Sequence, residues 1–271
     1  MILTSRPTIH FVNYLSSLLQ ETYTYIADSM SVYTGHPTLL STSQCLDEFI
    51  DGRADVGFLC GLLYTHMTAR EACPVELLAA PVLTGARYQG RPLYFSDVIV
   101  RTDSSFSSFA DLEGCTWAYN EGASHSGCNL VNYSLLERGK SPDYFGSLMK
   151  SGSHLNSLRL VLAGEADAAA IDSHLLDVIL HRDTQAAVGI RVVDMLGPSA
   201  VPPIVVARRL DPGLKQALRE MLVTMHNNPF SARVLHEGGI ERFVPVDDEW
   251  YDDIRSMYVR VQATDFLHAF Q

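Results

Sequence analysis

The sequence has few basic side chains. Its 20 Lys and Arg residues stand against 31 Asp and Glu, so the 271-residue chain carries a net charge of −11 at pH 7. A protein that binds nucleic acid neutralises phosphates with clustered Lys and Arg, and this composition excludes that class. It disfavours an anionic membrane surface for the same reason. Any anion that the protein binds must therefore be held by local dipoles rather than by an overall positive field.

Long apolar runs are also missing. No segment reaches the length of a membrane-spanning helix, so we expect no membrane insertion. The N-terminal sequence Met1–His10 lacks the basic and apolar regions of a signal peptide. The five cysteines are odd in number and form no C-x-x-C pair, which is typical of free thiols in a reducing compartment. These features predict a cytoplasmic protein; the alternative is a periplasmic or lipid-anchored protein whose leader has been removed.

Sequence patterns for metal and nucleotide binding are absent as well. The ten His residues show neither H-x₃-H nor H-E-x-x-H spacing, and the cysteines are isolated. Gly122 and Gly127 have the spacing of a phosphate-binding P-loop, but Cys128-Asn129 stands where that motif needs Lys followed by Ser or Thr. We therefore predict no metal site and no cofactor.

Two similar segments indicate a repeated α/β unit. Residues 47–61 and 159–173 each contain a short helical stretch, a Gly suited to a helix end, an Ala-Asp pair and an apolar strand. Each is preceded by a strand, a loop and a helix, with the helices predicted near 16–33 and 126–138. Two such units in tandem predict an α/β fold of two lobes, with mainly parallel sheets flanked by helices. Chance recurrence of a common helix–Gly–strand junction is the alternative.

Two extended runs that end in Arg mark the lobe boundaries. Residues 94–101 and 201–208 are both rich in β-branched side chains and bracket the second unit. The chain from Asp211 onward is predicted to be helical. The space between two lobes is the natural place for a ligand cleft. The predicted domains are 1–97 (lobe I, first part), 98–200 (lobe II) and 201–271 (lobe I, return strand and C-terminal helices).

The loop after the predicted strand 116–119 carries the strongest site signal. It reads Asn120-Glu-Gly-Ala-Ser-His-Ser-Gly127, so Ser124, His125 and Ser126 stand at the start of the next helix. Hydroxyls and free backbone amides there face one spot, and the helix dipole favours negative charge. The alternative is an ordinary serine cap on a glycine-rich turn.

Three further residues are candidates because of their places at the ends of strands or helices, where ligands bind in open parallel sheets. His154 begins a helix and can donate to an oxyanion, although a lone His is more often a surface or packed residue. Asp172 ends an apolar strand; it can accept from a ligand hydroxyl, orient His154, or simply cap the next helix. Tyr94 stands at the crossover between the predicted lobes, where packing is its usual role.

The sequence around these residues resembles that of a known family, the substrate-binding proteins of phosphate/phosphonate ABC transporters. The similarity covers nearly the whole chain and implies a periplasmic-binding-protein-like type II fold. It also implies that Ser124, His125 (where the family has Thr) and Ser126 hold an oxyanion, and that His154 and Tyr94 make the remaining contacts with it. The strongest segments are 111–127, which is similar to the family pattern D-L-x-G-x-x-x-A-x-x-D-P-x-S-T-S-G, then 151–170 and 243–255.

The chain also departs from the family pattern. Aminophosphonate binders of the family carry an acid about where His174 falls and another near Pro202–Pro203, and Leu59 stands where an aromatic residue is expected. The missing acids would leave a ligand amine unpaired. An aminoalkyl phosphonate is therefore not expected as the ligand.

Together these observations predict a ligand-binding protein rather than an enzyme. It would bind a small oxyanion such as phosphate, a phosphonate or a carboxylate near Ser124–Ser126 and close by hinge motion. Its partner would be an ABC permease or a signalling protein, as a transporter component or a sensor. The alternative is a cytosolic enzyme of the same fold that uses His154, His125 and Asp172 as acid/base residues on a small anionic metabolite.

Overall fold

The structure, a computed structural model, describes residues 6–265. Residues 1–5, part of the segment on which the expectation about a leader rests, lie outside that range. Contacts divide the described residues into two compact units: 6–92 with Val201–Trp250, and Leu93–Ala200 with 251–265. Each unit combines one sheet with flanking helices, so the predicted α/β class is confirmed. Within the described range, no helix has both the length and the apolar character needed to cross a bilayer.

The first unit is built on a six-stranded sheet. Its strands are β1 (Ile9–Asn13), β2 (Thr38–Thr42), β3 (Val56–Phe58), β4 (Val75–Leu83), β10 (Ile204–Ala207) and β11 (Ile240–Val244). Its helices are α1 (Gln20–Thr34), α2 (Gly61–Thr68), α7 (Pro212–Thr224) and α8 (Pro229–Glu237). The strand order is β11-β4-β10-β3-β1-β2. The first three strands run parallel, and β10 lies antiparallel between β3 and β4.

The second unit is built on a five-stranded sheet. Its strands are β5 (Leu93–Arg101), β6 (Thr116–Tyr119), β7 (Ser147–Lys150), β8 (Ala168–Asp172) and β9 (Ile190–Ala200). Its helices are α3 (Leu130–Glu137), α4 (His154–Ala163), α5 (Ser173–Arg182), α6 (Thr184–Gly189) and α9 (Asp252–Gln262). The order is β7-β6-β8-β5-β9, with β6, β7 and β8 parallel and β5 antiparallel to both of its neighbours. Both sheets therefore combine a parallel trio with antiparallel strands.

An aromatic cluster anchors β6 in the second unit. The indole of Trp117 is fully buried and stacks on Phe145, with ring centroids 4.3 Å apart. Phe109 and Tyr144 stack beside them at 5.6 Å. Burial of large aromatic side chains is among the strongest stabilising terms in a core. The cluster fixes β6, and so fixes the loop that leaves its C-terminal end.

The aspartates of the two repeated Ala-Asp pairs have the same role. Asp55 precedes β3, and its Oδ2 accepts a hydrogen bond from the backbone N–H of His10 in β1 at 2.8 Å, while its own N–H donates to the His10 carbonyl. Asp167 precedes β8 and makes the same two bonds with Thr116 in β6. Each aspartate joins its strand to a neighbouring parallel strand. The repeat in the sequence is therefore a repeat in the structure.

The unit boundaries differ from the lobes that we predicted. The second unit begins at Leu93 rather than at residue 98, so β5 belongs to it along its whole length. We expected the chain after residue 201 to stay in lobe I, but the structure places α9 in the second unit. The physical reason is that Met257 and Val261 pack against the hydrophobic core of that unit. The sequence analysis also missed β9, whose apolar pattern is interrupted by polar and Gly-Pro positions.

Candidate functional site

The helix that follows β6 begins in a π-helical turn. This turn spans His125–Asn129 and continues directly into α3, so residues 125–137 form one helix. Ser124 is its N-cap, and the Oγ of Ser124 accepts a hydrogen bond from the N–H of Gly127 at 3.0 Å. Helix geometry leaves the first four backbone N–H groups without an intrahelical acceptor, and the Ser124 hydroxyl satisfies only that of Gly127. The positive end of the helix dipole lies at the same place, and π-helical turns are frequent at functional sites.

Ser126 and His154 meet at this helix start. The Oγ of Ser126 lies 3.1 Å from Nε2 of His154. Ser126 follows β6, and His154 is the first residue of α4, which follows β7. Because β6 and β7 are parallel neighbours, their C-terminal ends bring both helix starts to one edge of the sheet. Two positive helix ends and two polar side chains therefore converge there, which is an arrangement suited to an anion.

His154 is a neutral imidazole at physiological pH. Its side chain is buried, and burial lowers its pKa to about 4, against the raising effect of a backbone hydrogen bond with Ala170. Nδ2 of Asn120 lies 3.4 Å from the same Nε2 that faces Ser126. In the Nδ1–H tautomer of the ring, Nε2 accepts from both the NH₂ group of Asn120 and the hydroxyl of Ser126. A ligand at this edge meets neutral dipoles and an uncharged imidazole ring.

Asn120 also lies against the helix start. A side chain at position 127 would place its Cβ 1.9 Å from Oδ1 of Asn120 and 3.2 Å from Oγ of Ser124. Atoms in a close-packed interior do not approach to 1.9 Å. Gly127 is therefore required as long as Asn120 keeps its place. The loop depends on this close approach between the end of β6 and the first turn of the helix.

The side chain of His125 makes hydrogen bonds to protein groups, whereas we predicted that it holds an oxyanion. Its ring is fully buried, with Nε2 2.9 Å from the Oγ of Ser199 and Nδ1 3.1 Å from Nδ2 of Asn129. Burial lowers its pKa to about 3, so the ring is neutral. The imidazole that we predicted to hold an oxyanion is thus engaged within the second unit. At the helix start His125 offers its backbone N–H.

Asp172 caps α5. Its Oδ1 accepts from the N–H groups of His174 at 2.8 Å and Leu175 at 3.3 Å, so the cap, one of the roles that the sequence allowed, is present. Burial raises the pKa of Asp172 to about 7, the two backbone hydrogen bonds lower it, and the charges of Asp97 and Asp177 add to the rise.

Tyr94 is a buried side chain within β5. Its ring centroid lies 6.3 Å from that of His125, at an interplanar angle of 41°. In the β5–β9 pairing, Tyr94 is opposite Ser199, the hydrogen-bonding partner of His125. The six predicted site residues thus all lie in the second unit. A hydrogen bond joins Ser126 to His154, and a ring contact joins Tyr94 to His125.

Sequence reasoning missed four polar residues around the helix start: Ser96, Asn120, Ser199 and Asp253. The hydroxyl of Ser96 donates to the carbonyl of Ser126 at 2.7 Å, and the hydroxyl of Ser199 donates to Asp253 at 2.8 Å. Asn120 stands directly after β6 and could have been found by the strand-end rule. The others are brought in by tertiary pairing, which gives no local signal. No cluster of three or more His, Cys, Asp or Glu side chains suited to a metal ion occurs within residues 6–265.

Comparisons with known proteins point to one family. A family model described as the periplasmic substrate-binding protein of phosphonate ABC transporters matches residues 12–251. The binding component of an ABC phosphonate transporter from Pseudomonas aeruginosa is similar in structure, with a TM-score of 0.84 and 20% identity over 96% of this chain and 88% of that chain. PhnD1 from Prochlorococcus marinus, in complex with methylphosphonate, has a TM-score of 0.82 and 14% identity over 95% of this chain and 99% of that chain.

A sulphonate binder is also similar. The periplasmic aliphatic sulphonate binding protein of Escherichia coli has a TM-score of 0.60 and 13% identity over 97% of this chain and 91% of that chain. At these identities the structural likeness shows the fold. The type II periplasmic-binding-protein fold that we predicted is confirmed.

Proposed function

Because the chain belongs to the family of periplasmic substrate-binding proteins of phosphonate ABC transporters, we propose that it binds a small phosphonate or phosphate at the start of helix 125–137. Membership implies a small ligand and a permease partner. Members of the family are periplasmic, which agrees with the alternative location given above; the cytoplasmic location has no support in the family.

The pairing of Ser126 with His154 is the observation that carries this proposal. A tetrahedral oxyanion needs donors from several directions around one point. The hydroxyls of Ser124 and Ser126 and the first two amides of the helix supply such donors, and the start of α4 adds a second positive helix end. A net charge of −11 gives no overall attraction for an anion, so these local dipoles must supply it.

The state of His154 favours a ligand that carries a proton. We propose that the ring is the Nδ1–H tautomer, in which Nε2 accepts from Ser126 and Asn120. An accepting nitrogen repels a fully ionised oxyanion. Phosphonates and phosphate have a second ionisation near neutral pH, so a P–OH group can donate to Nε2. Carboxylates and sulphonates carry no proton at neutral pH. We therefore propose phosphonate or phosphate as the ligand class, ahead of the carboxylate that the sequence also allowed.

Isothermal titration with methylphosphonate, inorganic phosphate, sulfate and acetate tests the site. We expect Ser126→Ala and His154→Ala to weaken the phosphonate or phosphate affinity by about tenfold to a hundredfold, the range for loss of a hydrogen bond to a charged group. Ser134 lies on the same helix but outside the site, and His181 is exposed on α5. Their variants are Ser134→Ala and His181→Ala. Both serve as matched controls and should bind as the wild type does.

Two results would contradict the proposal. One is a ligand whose affinity changes equally in the site variants and in the two controls, because the binding point would then lie elsewhere. The other is preference for acetate or sulfate over both phosphorus oxyanions, because the argument from the accepting imidazole would then fail.

A further inference from the structure

A continuous chain of hydrogen bonds runs through His125. Nδ2 of Asn129 lies 3.1 Å from Nδ1 of His125, and Nε2 of His125 lies 2.9 Å from the Oγ of Ser199. The hydroxyl of Ser199 donates to Oδ2 of Asp253 at 2.8 Å, and the same oxygen accepts from the N–H of Ala200 at 3.2 Å. The chain therefore joins the first turn of the anion-binding helix to the end of β9 and the first turn of α9.

The carboxylate at one end fixes the direction of every hydrogen bond in the chain. An ionised carboxylate only accepts, so Ser199 must donate its single hydroxyl proton to Asp253. The oxygen of Ser199 then accepts from Nε2–H of His125. A neutral imidazole has one proton, so Nδ1 must accept, and the NH₂ group of Asn129 faces it. Asp253 thus selects the Nε2–H tautomer of a ring that is fully buried.

The helix start needs such an anchor. Its first turn is π-helical, a geometry that lacks the regular α-helical hydrogen bonds and is rare as a stable form. His125 stands between Ser124 and Ser126, whose hydroxyls belong to the proposed site. With the imidazole held by Ser199 on one side, and the carbonyl of Ser126 held by Ser96 at 2.7 Å, the turn has a defined position.

We propose that Asp253 and Ser199 are positioning residues that act through His125 to hold the anion-binding helix start, with the His125 side chain as the central link rather than a ligand contact. This proposal rests on the proposed function for its consequence in binding. The structural part, the tautomer and the position of the turn, stands without a ligand and is tested separately.

Nitrogen-15 NMR of the wild-type protein identifies the tautomer of the His125 ring. We expect the ring of His125, assigned by its disappearance in His125→Gln, to be protonated at Nε2 and unprotonated at Nδ1. Ser199→Ala and Asp253→Ala should move the backbone amide resonances of residues 124–127. Asp252→Ala removes a neighbouring carboxylate that pairs with Arg255 and is the matched control; it should leave those resonances in place.

Titration of the same proteins with methylphosphonate measures how the substitutions change the affinity for the ligand. We expect Ser199→Ala and Asp253→Ala to weaken affinity by about tenfold, the lower end of the loss seen when the outer hydrogen-bonding partners of a binding group are removed at metal sites. The affinity of the double variant should be no lower than that of the single variant with the lower affinity, since both substitutions break the same chain of hydrogen bonds. The ring nitrogens of wild-type His125 should keep their protonation state when the ligand binds.

Different results separate the two proposals. An Nδ1–H tautomer in the ligand-free wild type, or unchanged amide resonances in both chain variants, overturns the positioning role whether or not a ligand binds. A change in the protonation of His125 on ligand binding overturns it too, because the ring would then contact the anion. If the wild type binds no phosphonate or phosphate while the NMR results are as expected, the proposed function fails and the anchored turn remains.

Discussion

The Oγ of Ser126 lies 3.1 Å from Nε2 of His154, within hydrogen-bond distance. An anion that takes over this hydroxyl as its own donor leaves Nε2 facing negative charge. The ring is neutral because burial lowers its pKa to about 4. A negative charge within hydrogen-bond distance raises the pKa of an imidazole. Binding of an anion at this point must therefore be linked to a proton, held either by the ligand or by His154.

We expect net proton uptake when methylphosphonate binds to the wild type at pH 7.5. In the proposed complex this proton would bridge the ligand and Nε2 of His154. His154→Gln should take up fewer protons, because a Gln amide can donate to the dianion without one. Titrations in buffers of different ionisation enthalpy measure the number of protons. An equal number for the two proteins would contradict a role for His154 at the ligand.

Gly127→Ala should disrupt the helix start. The added Cβ would lie 1.9 Å from Oδ1 of Asn120, and Asn120 is buried and held at His154. We expect a loss of about 1–3 kcal/mol in the free energy of unfolding, which is typical of overpacking. Urea unfolding measures it.

The double variant Asn120→Ala/Gly127→Ala gives the decisive comparison. Removing the carboxamide of Asn120 removes the two closest contacts of the added Cβ and leaves the one with Ser124 at 3.2 Å, so most of the cost of Gly127→Ala should vanish in the Asn120→Ala background. If the cost of Gly127→Ala is the same in both backgrounds, the clash is not its cause.

The sequence predicts the fold well where a pattern is local. The Ala-Asp pairs of Asp55 and Asp167 each precede a strand, and both aspartates tie that strand to its parallel neighbour. The position of α9 could not be predicted in this way. Its apolar residues Met257 and Val261 match any hydrophobic surface, and only tertiary packing shows that they cover the core of the second unit.

The site, too, could be predicted from the sequence only where its signals are local. Ser124 and Ser126 stand at a helix start, and His154 at another, and those places are readable because strand ends and caps have local signals. The role of His125 depends on Ser199, which is 74 residues away, and on Asp253 beyond it. The sequence predicts His125 as a third ligand group because these partners are distant and give no local signal.

Asp172→Asn should change how stability depends on pH. In the unfolded chain this carboxyl ionises near its ordinary pKa of 3.8, whereas in the folded protein its pKa is raised to about 7. Between these values the folded state holds a proton that the unfolded state has lost, so Asp172 costs stability as the pH rises from 4 to 7. Asn needs no proton and can cap α5 equally well.

We therefore expect Asp172→Asn to gain about 3 kcal/mol of stability relative to the wild type between pH 4.5 and pH 8. Urea unfolding at the two pH values measures the difference. Asp183→Asn is the matched control, because Asp183 caps α6 with the same two-amide pattern from an exposed position. A stabilisation of Asp172→Asn that is equal at both pH values would show that the carboxyl is not the cause.

Asp55→Ala should cost more stability than Asp167→Ala, although the two aspartates make the same hydrogen bonds to the backbone. Asp55 is buried and also pairs with Arg209 at 2.6 Å, whereas Asp167 is exposed. Removing Asp55 leaves Nη1 of Arg209 and the part-buried N–H of His10 without this acceptor, a loss of about 2–3 kcal/mol in the free energy of unfolding. At Asp167 water can replace the lost acceptor, and about 1 kcal/mol is expected. Urea unfolding of both variants measures the two costs, and equal values would mean that the Arg209 pair adds nothing.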